Sequence, residues 1–257
     1  MLAEAFALDV RESQRIVDDL LDRTSGSAGA RFSVHLAGPG ESAALLSLQV
    51  AADVFLRAFG NTADLLRREY ADLLPSTCHV VVLDRVARTA VGSVILQVAP
   101  ARELKTILDV AQPPWSVPAD AALAPLRLAP DATTAADLLL LSVQPGYRRH
   151  GLGILLLYAG WVASAAMGVD RWTAILDDPL LVGLRAMSGG AVRPIAGALS
   201  RPYLGSPGSL PITIRMNPAD DGALLRRIQH VGRRAAAHAE FCGDLEPGER
   251  GFQALVP

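Results

Sequence analysis

Lysine is nearly absent from this chain. Among 257 residues Lys105 stands alone, and every other basic side chain is an arginine. No long basic run occurs, and the formal charge is −2. A duplex-binding protein is expected to carry a basic face or stripe, so nucleic acid is not an expected partner. The densest basic stretch, Arg226-Arg227 with Arg233-Arg234, reads as the solvated face of a helix. Cysteine is also scarce. Cys78 and Cys242 show no metal-ligand spacing, which argues against a disulfide framework or a zinc site and fits a reducing cytoplasm. The histidines His35, His79, His230 and His238 have no ligand spacing either; no metal is expected. Met1 to Val10 contains Glu4 and Asp9 and no basic stretch, unlike a signal peptide. The longest uncharged run, Gly151 to Val169, is rich in Gly, Ala and Ser and starts at a glycine turn. It reads as the buried helix of a core, with no membrane partner expected.

What is present suits one folded α/β domain. About half the residues are apolar and 19% are charged, which excludes global disorder. Apolar spacing at Ile16, Val17, Leu20 and Leu21 predicts a helix over 3–22. A Ser/Gly-rich break over 24–30 follows it. Alternation predicts a strand over 31–37; helices are expected near 41–59 and 62–74. The stretches 78–83 and 91–98 read as a hairpin, and 103–111 as a short helix. A strand over 138–143, a helix over 151–167, a strand over 171–176 and a helix over 179–187 come next. Strands near 192–198 and 210–215 and a helix near 219–240 complete the expectation. No repeat or low-complexity linker divides the chain.

The informative segment is Leu138 to Gly153, where a strand ends in Val143-Gln144-Pro145-Gly146 and Tyr147-Arg148-Arg149-His150-Gly151-Leu152-Gly153 leads into an apolar helix. Amides at a helix N-terminus lack intrahelical acceptors, and with the helix dipole they form a phosphate site. Gly151 and Gly153 let an anion approach the main chain, and Arg148, Arg149 and His150 supply positive charge. Neither the lysine-bearing nucleotide loop nor the dinucleotide Gly-x-Gly-x-x-Gly pattern is present.

The run Arg148-x-x-Gly151-x-Gly153 resembles the signature of the GNAT acyltransferase superfamily, Arg/Gln-x-x-Gly-x-Gly/Ala. Val143, Pro145 and Tyr147 suit the same pattern, as does the order of elements over 31–215. Leu104-Lys105-Thr106, Pro113-Pro114-Trp115 and Arg201 to Ser206 look like a bacterial subgroup of that superfamily. The resemblance implies a mixed central sheet with its fourth and fifth strands splayed, flanked by helices. Residues 1–30 would be an N-terminal helical extension and 31–257 the acyltransferase domain. It further implies that Leu141 and Val143 bind the pantetheine amides of acetyl-CoA or another acyl-CoA. The backbone of Arg148, Arg149, His150, Gly151, Leu152 and Gly153 would then hold the pyrophosphate.

The implied chemistry is attack of a small-molecule amine on an acyl thioester, with acyl carrier protein as an alternative acyl donor. A proton must leave the amine, and the departing thiolate needs a donor. Where the family often has Leu-Tyr, this chain has Leu184-Arg185, and arginine is no acid at neutral pH. Tyr203 is therefore the expected donor, with Tyr158 expected in the core. Asp177 is the nearest expected carboxylate, while Asp178 before Pro179 reads as a helix cap. Asp137 lies about 20 Å along an extended strand from Val143, so it is not expected as the base. A base is expected to be absent or to act through water. Lys105 and Trp115 are the expected acceptor-side residues, although a lone lysine is by default a surface residue. A longer-chain N-acyltransferase and a non-catalytic acyl-CoA-binding module remain the alternatives.

Overall fold

The structure is a computed structural model that describes residues 6–24, 30–126, 134–169, 171–188, 191–215, 226, 230 and 239–243. The expected helix near 219–240 lies almost wholly outside the described residues, as do most of the expected break over 24–30, Arg227, Arg233, Arg234 and His238.

Among the described residues nine strands form one mixed sheet: β1 (Phe32–Ala37), β2 (Thr77–Asp84), β3 (Thr89–Pro100), β4 (Thr134–Val143), β5 (Arg171–Asp177), β6 (Val192–Pro194), β7 (Arg201–Tyr203), β8 (Ser206–Arg215) and β9 (Ala239–Gly243). The hydrogen-bonded order is β6-β8-β5-β4-β3-β2-β1-β9, with β7 on β8. Contacts divide the chain into two compact units. The first comprises Met1–Ile95, Leu140–Ala166 and Ile228–Pro257, and the second Leu96–Leu139 and Met167–Arg227.

In the first unit, α1 (Val10–Arg23) starts later than its apolar spacing suggests. The Asp9 carboxylate accepts from the Glu12 N–H at 2.8 Å and caps the helix there. Its stripe Ile16, Val17, Leu20 and Leu21 is buried against Ala37, Leu46, Val81 and Leu83, each such side chain contributing about 1.5–3 kcal/mol. α2 (Ser42–Phe59) is long and apolar enough to cross a membrane, but half of it is buried. It packs on β1 and β2 as a core helix. α3 (Ala63–Tyr70) is capped by Thr62 and ends short of residue 74. α6 (Leu152–Ala166) is apolar all round, and Leu155 to Ser164 is buried, Tyr158 included.

Gly92 on β3 lies close to α6 and β4. A Cβ there would stand 3.0 Å from Leu156 Cδ1 and 3.2 Å from the Ser142 carbonyl oxygen. Gly92→Val is expected to destabilise the fold by about 1–3 kcal/mol, read as a lowered Tm by calorimetry; an unchanged Tm would show that the contact yields freely.

In the second unit, β4 pairs with β5 in parallel over Ala136–Leu138 and Trp172–Ala174, short of the ends of both strands. β5 runs antiparallel to β8 along its whole length. The expected strand near 192–198 is the shorter β6, and a further short strand, β7, follows outside that span; both pair with β8. β7 returns to β8 through Leu204 (φ 44°) and Gly205 (φ 79°), the pair of left-handed residues that a two-residue hairpin turn requires. The helix expected over 103–111 is the shorter α4 (Lys105–Val110), and it packs with a short helix that was not expected, α5 (Ala119–Leu123). α7 is Asp178–Ser188. Leu104, Ile107, Val110, Val117 and Ala122 form the core under α4 and α5.

Candidate functional site

Two sets of residues stand out, one in each unit. In the first, β4 ends at Val143, and the Gln144 N–H donates to the Val91 carbonyl at 2.9 Å, fixing where the chain leaves the sheet. A 3-10 turn over Pro145–Tyr147 follows, and then Arg149 (φ 67°) and Gly151 (φ 81°) both take left-handed backbone. The two helical bonds that open α6 both go to the Gly151 carbonyl, from Ile154 and Leu155 at 3.0 Å. The amides of Arg149, His150, Gly151, Leu152 and Gly153 donate to no acceptor among the described residues. Such amides point outward at the positive end of a fifteen-residue helix. A Cβ on Gly151 or Gly153 would meet nothing within 4 Å, so the main chain is open on this side. Arg148, Arg149 and His150 are exposed; Arg148 Nε donates to the Val143 carbonyl at 3.2 Å, and His150 Nδ1 bonds the Arg148 carbonyl at 2.9 Å. Leu141 and Val143 are half-buried on β4 just ahead of the turn. The expected phosphate loop is thus a continuous run of available amides flanked by cations.

In the second unit, Lys105, Trp115 and Tyr203 come together, and Asp109 joins them. Lys105 is not on the surface: it is only 7% exposed. Its ammonium donates to Asp109 Oδ2 at 2.8 Å, one helical turn along α4. That partner is the physical reason a lysine is tolerated inside. The Tyr203 hydroxyl donates to the same Asp109 oxygen. The Tyr203 ring lies 5.2 Å from Trp115 and 5.9 Å from the Lys105 ammonium. Trp115 is fixed in turn by its indole N–H, which donates to the Leu199 carbonyl at 2.7 Å.

α4 is held at its start by two side chains from the sheet. Gln97 on β3 accepts from the Lys105 N–H at 3.0 Å and donates to the Glu103 carbonyl at 3.1 Å. Asp137 on β4 accepts from the Thr106 N–H and, at 2.8 Å, from the Thr106 hydroxyl. Asp137 therefore caps a helix from a neighbouring strand. Burial pushes its carboxyl up to about 6, against the opposing pull of the Thr106 donors, and the nearby Asp109 charge adds to the rise.

Asp177 sits in the β5 ladder opposite Ser209. Asp178 opens α7, and its carboxylate accepts from the Ser200 hydroxyl at 3.0 Å. Gly208 leaves room for that carboxylate. Asp109, Thr106 and Gln97 are the members of the second set that the sequence reading did not choose. Asp109 falls in the stretch that the resemblance assigns to the acceptor side, and its i,i+4 spacing from the chain's single lysine was a further signal.

Next to the cluster, Asp109 lines a cavity of about 340 Å³ formed by residues of the α4 and α5 region, with Asp120, Arg102 and Gln112 as its other polar residues.

No protein-family model and no curated protein matches the chain. Among solved structures it is similar to BjaI, a CoA-dependent acyl-homoserine lactone synthase solved with MTA. The identity is 14%, the TM-score 0.53, and the match covers 83% of this chain and 93% of that one. It is also similar to FeeM, an N-acyl amino acid synthase from uncultured soil microbes. That identity is 14% and that TM-score 0.53, over 73% of this chain and 92% of that one. At such identity the likeness is one of fold. The mixed nine-stranded sheet of the described residues, flanked by helices and entering α6 through an open glycine turn, has the GNAT fold that the resemblance of the loop sequence implied.

Proposed function

We propose that the chain is an N-acyltransferase that moves an acyl group from an acyl-CoA thioester to a small-molecule amine. The observation that carries this reading is the run of amides from Arg149 to Gly153, without protein acceptors among the described residues, beside Arg148 and Arg149. Phosphate oxygens are the acceptors such a turn suits. The backbone of Leu141 and Val143 would take the pantetheine amides. The amine attacks the thioester carbonyl, a tetrahedral oxyanion forms, and the C–S bond then breaks to release CoA. The proton lost by the amine goes to water, and the departing thiolate takes one from Tyr203.

Isothermal calorimetry with CoA, together with thiol release from acetyl-CoA in a panel of amines, tests the proposal. Binding with turnover of at least one amine supports it. Absence of CoA binding would reject it, and tight CoA binding with no turnover on any amine would favour a binding module instead. Tyr203→Phe keeps the ring against Trp115 and removes the hydroxyl. It is expected to slow acyl transfer about 100-fold with CoA affinity unchanged; equal turnover would remove Tyr203 as the acid.

A second reading is transfer of an acyl chain longer than acetyl, from CoA or acyl carrier protein. It is favoured by the likeness to an acyl-homoserine lactone synthase and an N-acyl amino acid synthase. Mass-spectrometric profiling of products from donors of increasing chain length separates the two readings.

A further inference from the structure

We propose that the cavity formed by the α4 and α5 region binds a small primary amine through Asp109. The two side chains that fix this carboxylate use one of its oxygens. The Lys105 ammonium and the Tyr203 hydroxyl both donate to Oδ2, while Oδ1 has no partner among the described residues. A carboxylate offers about four lone-pair sites, so Asp109 retains acceptor capacity on the oxygen left over. Its side chain is 23% exposed and lines the cavity. Asp120 supplies a second carboxylate to the lining, against the one guanidinium of Arg102, and Ile107, Leu108 and Leu123 supply apolar surface. Leu108 is half exposed, so an aliphatic group resting on it would be removed from water. A volume of about 340 Å³ lies at the small end of ligand pockets, which selects a small molecule.

The chain itself shows that Asp109 accepts an ammonium, since the single lysine is bound to it. Lys105 and Tyr203 also hold the carboxylate in one orientation, so an incoming amine need not order it. Binding of the amine stands on this geometry alone. Its role as the acyl acceptor rests on the transferase reading.

Saturation-transfer NMR on the full chain tests the proposal with n-butylamine as probe and n-butanol as its uncharged match. The amine is expected to give saturation transfer and the alcohol only background. Asp109→Asn is expected to weaken amine binding about tenfold or more, with a lowered Tm because the buried Lys105 ammonium loses its charged partner, and with the CoA affinity from calorimetry retained. Should that variant fail to fold, Leu108→Trp, at an exposed position, is expected to fill the cavity and abolish the amine signal. Equal signals from amine and alcohol, or amine binding unaltered in a folded Asp109→Asn or Leu108→Trp chain, would overturn the site. Amine binding that persists in a chain with no affinity for CoA would keep this site and reject the transferase reading.

Discussion

Gly151→Val is expected to lower CoA affinity about 100-fold or more while leaving a folded protein. Gly151 has φ 81°, a region that an L residue enters at a cost of about 1–2 kcal/mol and a β-branched residue enters worst. The new side chain meets no protein atom, because nothing lies within 4 Å of a Cβ built there. The cost is therefore local to the turn, and the core of α6 is untouched. The valine methyls instead occupy the space in front of the Arg149–Gly153 amides, where a pyrophosphate would sit. Each charge-assisted hydrogen bond lost is worth about 1.5–3 kcal/mol, so two bonds suffice for the expected loss. Arg148→Glu reverses charge at an exposed position and is expected to cost about tenfold, with a dependence on salt that the glycine variant lacks. Calorimetric titration with CoA reads both. Wild-type affinity in both variants would reject the loop as the phosphate site.

The second large effect concerns Asp137 and pH. Its carboxyl is raised to about 6 in the folded chain from an ordinary value of 3.8. The folded state then holds a proton over a range in which the unfolded state has released it. Stability contributed by this group is present below pH 4 and is lost as pH rises toward and through 6. The full difference corresponds to about 3 kcal/mol at 1.36 kcal/mol per unit. Asparagine cannot ionise, and its amide oxygen can still accept from the Thr106 N–H. Relative to wild type, Asp137→Asn is expected to gain up to about 3 kcal/mol between pH 4 and pH 7. Urea unfolding at several pH values measures it, and stability curves that run parallel would refute the shifted carboxyl. Asp137→Ala is different: it strands two buried donors of Thr106, at about 1–3 kcal/mol each, and releases the start of α4.

Much of the fold was legible because its signals are local. Alternation over Phe32–Ala37, the hairpin pattern around 84–89 and the all-apolar run after Gly151 each appear as β1, β2–β3 and α6. The phosphate-loop candidate was legible for the same reason, since a turn and a helix start are written in adjacent residues. Less was legible where long-range partners decide. α1 begins at Val10 because Asp9 caps it, although the apolar pattern permits an earlier start. The stretch 192–203 holds two short strands because both find an edge of β8. Lys105 reads as a surface residue until Asp109 and Tyr203 are seen around it. Asp137 was not expected to be a base because of its distance along the strand, and only the packing of α4 against the sheet discloses its work as a cap.

By itself the sequence determined where the amides of the turn into α6 are left without helical acceptors, because hydrogen-bond geometry within a few residues dictates that. It also determined which residues were eligible for acid, base and anion-binding work. Only the tertiary structure decided that Lys105, Asp109, Trp115 and Tyr203 meet, across 94 residues between Asp109 and Tyr203. No local rule specifies which strand will bring a hydroxyl to a given carboxylate. That choice is made by sheet order and by the burial of α4, which together leave one oxygen of Asp109 for a molecule from outside.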